Sequence, residues 1–110
     1  MKEAILHSKA REVLKTFSKD VRQSVGKAIL DLQKGYNLSM PFSRPVPSVA
    51  LGAEELRIKD STGIYRVFYY KKLQRGILIF HAFAKKNQKT PHHEVILGRK
   101  RLKEMLHEEI

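Results

Sequence analysis

Between Glu55 and Phe83 the chain reads ELRIKDSTGIYRVFYYKKLQRGILIFHAF. Three runs in it, Glu55 to Lys59, Ile64 to Tyr70 and Ile77 to Phe83, are rich in β-branched and aromatic residues, which suit a pleated, half-buried surface. Asp60-Ser61-Thr62-Gly63 separates the first two, and Lys71 to Gly76 separates the last two. The economical topology is a three-strand antiparallel meander. If Lys59 pairs with Ile64 across the four-residue turn, Arg57 falls directly opposite Arg66, and a similar closure of the second hairpin sets Arg66 beside His81.

Alternation then sorts the side chains. Leu56, Ile58, Tyr65, Val67, Tyr69, Leu78, Phe80 and Ala82 are expected on one face, packed under helices. Arg57, Lys59, Arg66 and His81 are expected on the other, with Phe68, Tyr70 and Phe83. Like charges opposite one another cost stability, so their presence suggests an anion among them. Cations interleaved with aromatic rings are what unpaired RNA uses, because bases stack while phosphates meet the cations. An ordinary solvated basic face would give the same pattern.

Outward from the meander, Lys2 to His7 is a candidate strand. Ser8 is a candidate cap for a helix carrying Ala10, Val13, Leu14 and Phe17. A second helix is expected from Asp20 to Lys34, with Val21, Val25, Ala28, Ile29 and Leu32 on one face and Gly35 at a left-handed C-cap. The two read as an antiparallel hairpin. The stretch from Tyr36 to Ala53 holds Pro41, Pro45 and Pro47 and reads as an irregular loop. After Thr90-Pro91 a basic final helix is marked by Val95, Leu97, Leu102 and Leu106. No repeat or linker divides residues 1–110, so one α+β domain is expected.

The chain has 22 Lys and Arg against 11 Asp and Glu, a net charge of +11, which favours phosphate polymers as partners. A DNA binder, a basic ribosome-associated factor or a surface for an acidic protein fits the charge equally well. No cysteine is present, which excludes disulfides, thiolate nucleophiles and cysteine zinc sites. No run approaches the roughly 18 apolar residues of a membrane span, and a cytoplasmic location without membrane contact is expected. His92 and His93 are neighbours, about 100° apart on a helix, with no acidic cluster at ligand spacing, so no metal or other cofactor is expected. One of them can serve as a general acid or base. His7 and His107 read as surface. Lys85, Lys86 and Lys89 sit in a short loop ahead of a helix N-terminus, a place that favours phosphate, and Arg99 extends the basic surface along the final helix.

Taken together, Glu55-Leu56-Arg57-Ile58-Lys59, Gly63-Ile64-Tyr65-Arg66-Val67 and His81-Ala82-Phe83-Ala84-Lys85-Lys86-Asn87-Gln88-Lys89-Thr90-Pro91 resemble the phage-derived, HigB-like branch of the RelE/ParE toxin superfamily. The resemblance spans essentially the whole chain. It implies a RelE/ParE-like α+β fold, with a mainly antiparallel sheet, an N-terminal helical hairpin and a C-terminal helix. It implies the toxin of a type II toxin–antitoxin system, a metal-independent endoribonuclease (mRNA interferase) that cleaves messenger RNA on the ribosome and so inhibits translation. A cognate helix-turn-helix antitoxin would neutralise it, and operator DNA would be reached only through that antitoxin. By motif position the implied catalytic set is Arg57, Lys59 and Arg66, with Lys85 or Lys86 for a later arginine and His92 near a tyrosine. In 2′-hydroxyl attack, Lys59 or His92 would take the proton and Arg57 and Arg66 would hold the phosphorane charge. Lys86 or His92 would protonate the leaving oxygen. Lys85, Lys89, His81, Phe68, Tyr70 and Arg99 would contact RNA. The alternatives are a ParE-like gyrase inhibitor and a non-catalytic basic module that binds RNA or the ribosome.

Overall fold

The computed structural model describes residues 1–71, 74, 76–87 and 89–109. Lys72, Leu73 and Arg75 of the second turn, Gln88 of the lysine loop and Ile110 lie outside the described residues. Eight elements follow in chain order. They are β1 (Glu3–Leu6), α1 (Ser8–Thr16), α2 (Lys19–Gln33), β2 (Ser43–Pro45), β3 (Ala53–Asp60), β4 (Gly63–Tyr70), β5 (Gly76–Lys85) and α3 (His92–Glu109). The fold is α+β; among the described residues there are three helices and a five-stranded mixed sheet of order β1-β5-β4-β3-β2. Only β1 and β5 pair in parallel; the other neighbours are antiparallel.

The first hairpin closes as the turn residues dictate. Asp60 Oδ1 accepts from the Thr62 amide at 2.8 Å and from its hydroxyl at 2.6 Å, an Asx turn that pins the register. Lys59 therefore pairs with Ile64 and Arg57 with Arg66. The second hairpin differs from the expectation. Phe68 pairs with His81 and Tyr69 with Ile79, so Phe80 is an extra residue on β5. A bulge of this kind lets consecutive side chains share a face and inverts the alternation beyond it. Leu78 and Phe80 consequently lie with Phe68 and Phe83, while Ile77 and Ile79 join Leu56, Tyr65, Val67, Tyr69 and Ala82. Arg66 stands opposite Phe83 rather than beside His81.

Each face has its own helical cover. Phe17, Val21, Val25 and Leu32 of the α1–α2 segment pack on the Tyr65 and Val67 face. Val95, Leu102 and Met105 of α3 pack on Phe68, Leu78, Phe80 and Phe83. The face expected to be open is thus largely roofed, because each large apolar side chain buried there contributes about 1.5 to 3 kcal/mol. Gly98 lets α3 come down onto the sheet: a Cβ there would meet Phe68 Cδ2 at 2.9 Å.

Local signals account for the helix ends. Gly35, at φ +95°, ends α2 as expected. Its amide bonds to Leu32 O and that of Tyr36 to Asp31 O, both at 3.0 Å, the pairing of a Schellman close. Ser8 is the first helical residue of α1, and the cap is His7, whose Nδ1 accepts from the Lys9 amide at 3.1 Å. His7 Nε2 also lies 2.9 Å from Glu104 Oε1, so a residue read as surface ties α1 to α3. The proline-rich stretch is not wholly irregular either. Ser43–Pro45 forms an edge strand against Glu54–Leu56, a position that tolerates proline because its missing N–H faces away from the ladder.

Candidate functional site

Strand alternation brings Glu55, Arg57, Arg66 and Lys85 to the α3 side of the sheet, and β2 adds Arg44 opposite Glu55. Glu55 is fully buried and holds the group together. Its Oε2 accepts from Arg44 Nε at 2.6 Å and from Arg57 Nη1 at 3.0 Å. Its Oε1 faces Arg66 Nε at 3.7 Å, an ion pair too long for a hydrogen bond. The anion that the opposed arginines call for is therefore supplied first by the chain itself. Among the described residues the Glu55 carboxylate is shared by three guanidiniums, with Lys85 close by.

Lys85 is 9% exposed. Burial, and then the Arg66 charge, push its ammonium down to about 8. Desolvation likewise lowers Arg66, which is 2% exposed, with Arg57 adding to the effect. Lys85 Nζ lies 3.5 Å from Thr90 Oγ1. Thr90 lines a cleft of about 340 Å3 with Arg44, Pro45, Ser48 and Lys89. That cleft runs into another of about 660 Å3, where Lys89 and Thr90 are joined by Asn87, His92 and Arg99. A groove between the proline-rich segment and the start of α3 thus has Arg44, Lys89, His92 and Arg99 on its walls, and the buried cations adjoin it through Arg44 and Thr90.

The structure gathers Arg57, Arg66 and Lys85 but not the whole expected set. Lys59 is exposed, and it lines a separate depression with Arg57, Phe42, Leu38 and Ser24 at the open edge of β3. Lys86 is exposed beside the buried Lys85. Lys89 and His92 are exposed in the groove. Arg99 is exposed but donates its Nε to Ser48 O at 2.7 Å, bracing α3 against the proline-rich segment. Phe68 and Phe83 are core residues beneath α3, so neither offers a ring to a base, and Tyr70 is half-buried at their edge.

His81 is 2% exposed and also lies under α3, against the Phe68 and Phe83 rings. Arg101 Nη1 donates to its Nδ1 at 2.7 Å, and its Nε2 lies 2.7 Å from Glu94 Oε1. A guanidinium can only donate, so Nδ1 carries the lone pair and Nε2–H donates to Glu94. Burial keeps this neutral imidazole below its usual titration range, against the pull of Glu94. Glu94 Oε2 in turn pairs with His93 Nε2 at 3.2 Å. His81 therefore fastens the first turns of α3 to β5 and has no surface for RNA.

Four residues of this arrangement escaped sequence reasoning. Glu55 precedes Arg57 by two in a strand, so its presence on the same face was legible. Glu94 and Arg101 are seven apart, two helical turns, and their shared face was legible too. Arg44 had no signal, because its place depends on a strand hidden among prolines.

A family model described as Phage derived protein Gp49-like (DUF891) matches residues 12–103. The chain belongs to that family. Gp49-like proteins are a toxin-like family of toxin–antitoxin systems, and the match includes the residues that line the groove and form the cation cluster. No curated protein matches the chain. Among the described residues of this Gp49-like protein, no three His, Asp or Glu side chains gather as a metal-binding group, and no helix is long and apolar enough to cross a membrane.

Proposed function

We propose that this Gp49-like chain is a HigB-like, RelE-type toxin that cleaves messenger RNA on the ribosome in the cytoplasm and is neutralised by a cognate helix-turn-helix antitoxin. The observation that carries the reading is Lys85, an amine buried among Arg44, Arg57 and Arg66 beside a basic groove. A phosphodiester in the groove would find excess positive charge, and an amine with a pKa of about 8 beside it. Such an amine has an appreciable neutral fraction near pH 7 and can act as a base.

In the reaction proposed, the RNA 2′-hydroxyl attacks the adjacent phosphorus and Lys85 Nζ accepts its proton. Arg57 stabilises the added negative charge on the phosphorane, and Arg66, buried behind it, adds its positive field without touching the phosphate. The bond to the 5′-oxygen breaks, and His92 or Lys86 returns a proton to that oxygen. The products are a 2′,3′-cyclic phosphate and a 5′-hydroxyl. Lys59 moves from candidate base to backbone contact, since it sits on the outer edge of β3. Lys89 and Arg99 hold the strand along the groove.

Primer extension on a translated message tests this reading. Discrete new 5′-hydroxyl ends that require both the protein and the ribosome are expected; intact message at every protein concentration contradicts it. One observation favours a non-catalytic reading: Arg44 and Arg57 both spend donors on Glu55. A binding module of that kind would retain ribosomes or RNA in a strongly salt-dependent way and yield no product.

A further inference from the structure

On the sheet face opposite the cation cluster, α1 and α2 line an apolar depression of about 220 Å3. Leu14, Val25 and Ile29 form its floor, and Gly26 opens it. A Cβ built at Gly26 meets nothing within 4 Å, so there is open space above that position for an incoming side chain. Arg22, Val25, Gly26 and Ile29 follow at i, i+3, i+4 and i+7, the stripe that α2 turns toward α1. Arg11 and Lys15, one turn apart on α1, close the other side.

Arg11, Lys15 and Arg22 are all exposed, and none makes an ion pair among the described residues. A greasy floor ringed by uncompensated cations is unlike an ordinary solvated helix face, where charges stand over polar ground. It selects a ligand with aliphatic side chains flanked by carboxylates. A second copy of this chain, at +11, would bring cations to cations.

We propose that this depression docks an acidic, amphipathic segment of a protein partner, with a leucine-like anchor over Gly26 and Asp or Glu against Arg11, Lys15 and Arg22. On the toxin reading above, on which its biological sense rests, that partner is the antitoxin. The segment is held away from the groove, on the other side of the sheet.

The probe is a labelled synthetic peptide with leucines along one helical face and glutamates elsewhere, beside a peptide in which lysines replace the glutamates. The full chain should bind the first and not the second. Gly26→Trp, which fills the hollow, and the triple change Arg11→Glu, Lys15→Glu, Arg22→Glu should each weaken binding by about tenfold or more. Lys89→Glu with Arg99→Glu should change it by less than about twofold. Amide shifts in the bound state should map to residues 11–29. Binding that survives Gly26→Trp, or that falls with Lys89 and Arg99 instead, overturns the proposal. Self-association of the chain that Gly26→Trp abolishes overturns it too, because the occupant is then a second copy. Gly26→Trp should cleave message at the wild-type rate. A chain that binds the peptide as described yet never cleaves defeats the nuclease reading alone, and an active chain indifferent to Gly26→Trp in the peptide assay defeats the docking surface alone.

Discussion

Arg57 and Arg66 stand opposite each other in the β3–β4 ladder, and among the described residues the carboxylate that reaches both belongs to Glu55. This relationship offsets the repulsion between the two opposed guanidiniums. Removing the carboxylate takes away the buried charge that Arg44, Arg57 and Arg66 share, so Glu55→Ala should cost about 3 to 5 kcal/mol of stability. Urea unfolding followed by circular dichroism measures this. A loss below about 1 kcal/mol would mean that solvent reaches the cluster and Glu55 is not its keystone.

Two glycines should respond oppositely to the same change. Gly98→Ala forces a methyl against Phe68, 2.9 Å from the ring, and is expected to destabilise by about 1 to 3 kcal/mol. Gly26→Ala meets open space in mid-helix and should stabilise by about 0.5 to 1 kcal/mol. Thermal melts of the two variants beside wild type decide it. Equal shifts would contradict the close approach of α3 to the sheet.

Stability should fall in mild acid through His81. Its imidazole is held below the usual value of 6.5 by burial, and Arg101 and the more distant His7 charge oppose protonation while Glu94 favours it. Between that lowered value and 6.5 the unfolded chain binds more protons than the folded one, so stability rises with pH through this window and is lost as pH drops. His81→Gln should flatten this part of the pH–stability curve measured by chemical denaturation. An unchanged slope in the variant would show that other groups set it.

Lys85 gives the cleavage reaction a pH signature. If its neutral amine is the base, the rate should climb with pH and level off above about 8. Lys85→Arg keeps the positive charge but stays protonated throughout, so it should be slow at every pH and lack the inflection. Single-turnover cleavage on ribosomes preloaded with message provides the rates. A wild-type profile flat from pH 6 to 9 would assign the base elsewhere.

Much of this fold is legible in the residues. The Asp60–Gly63 turn has one natural closure, and that closure sets Arg57 against Arg66. Gly35 marks the end of α2 for a backbone reason, a positive φ. What the pattern conceals depends on irregularity and tertiary cover. The extra residue at Phe80 reverses which side Leu78 and Phe80 face, and a single bulge leaves no mark in an apolar run. Pro45 masks β2, and with it the partnership of Arg44 and Glu55. Phe68, Phe83 and His81 are on the side that alternation assigns them, yet α3 covers that side, so rings expected to stack on bases are core instead. Of the expected site, Arg57, Arg66 and Lys85 come together because strand registry places them. Lys59 and Lys86 point outward, since parity along a strand says nothing about what lies over its end.

The most direct test of the nuclease account is the yield of new message 5′ ends in a translating extract for wild type and for Lys85→Met, with the variant's fold verified by circular dichroism. Lys85→Met should lower the yield by about a hundredfold or more, with Lys59→Met staying within about tenfold of wild type. Wild-type yield from folded Lys85→Met would contradict it.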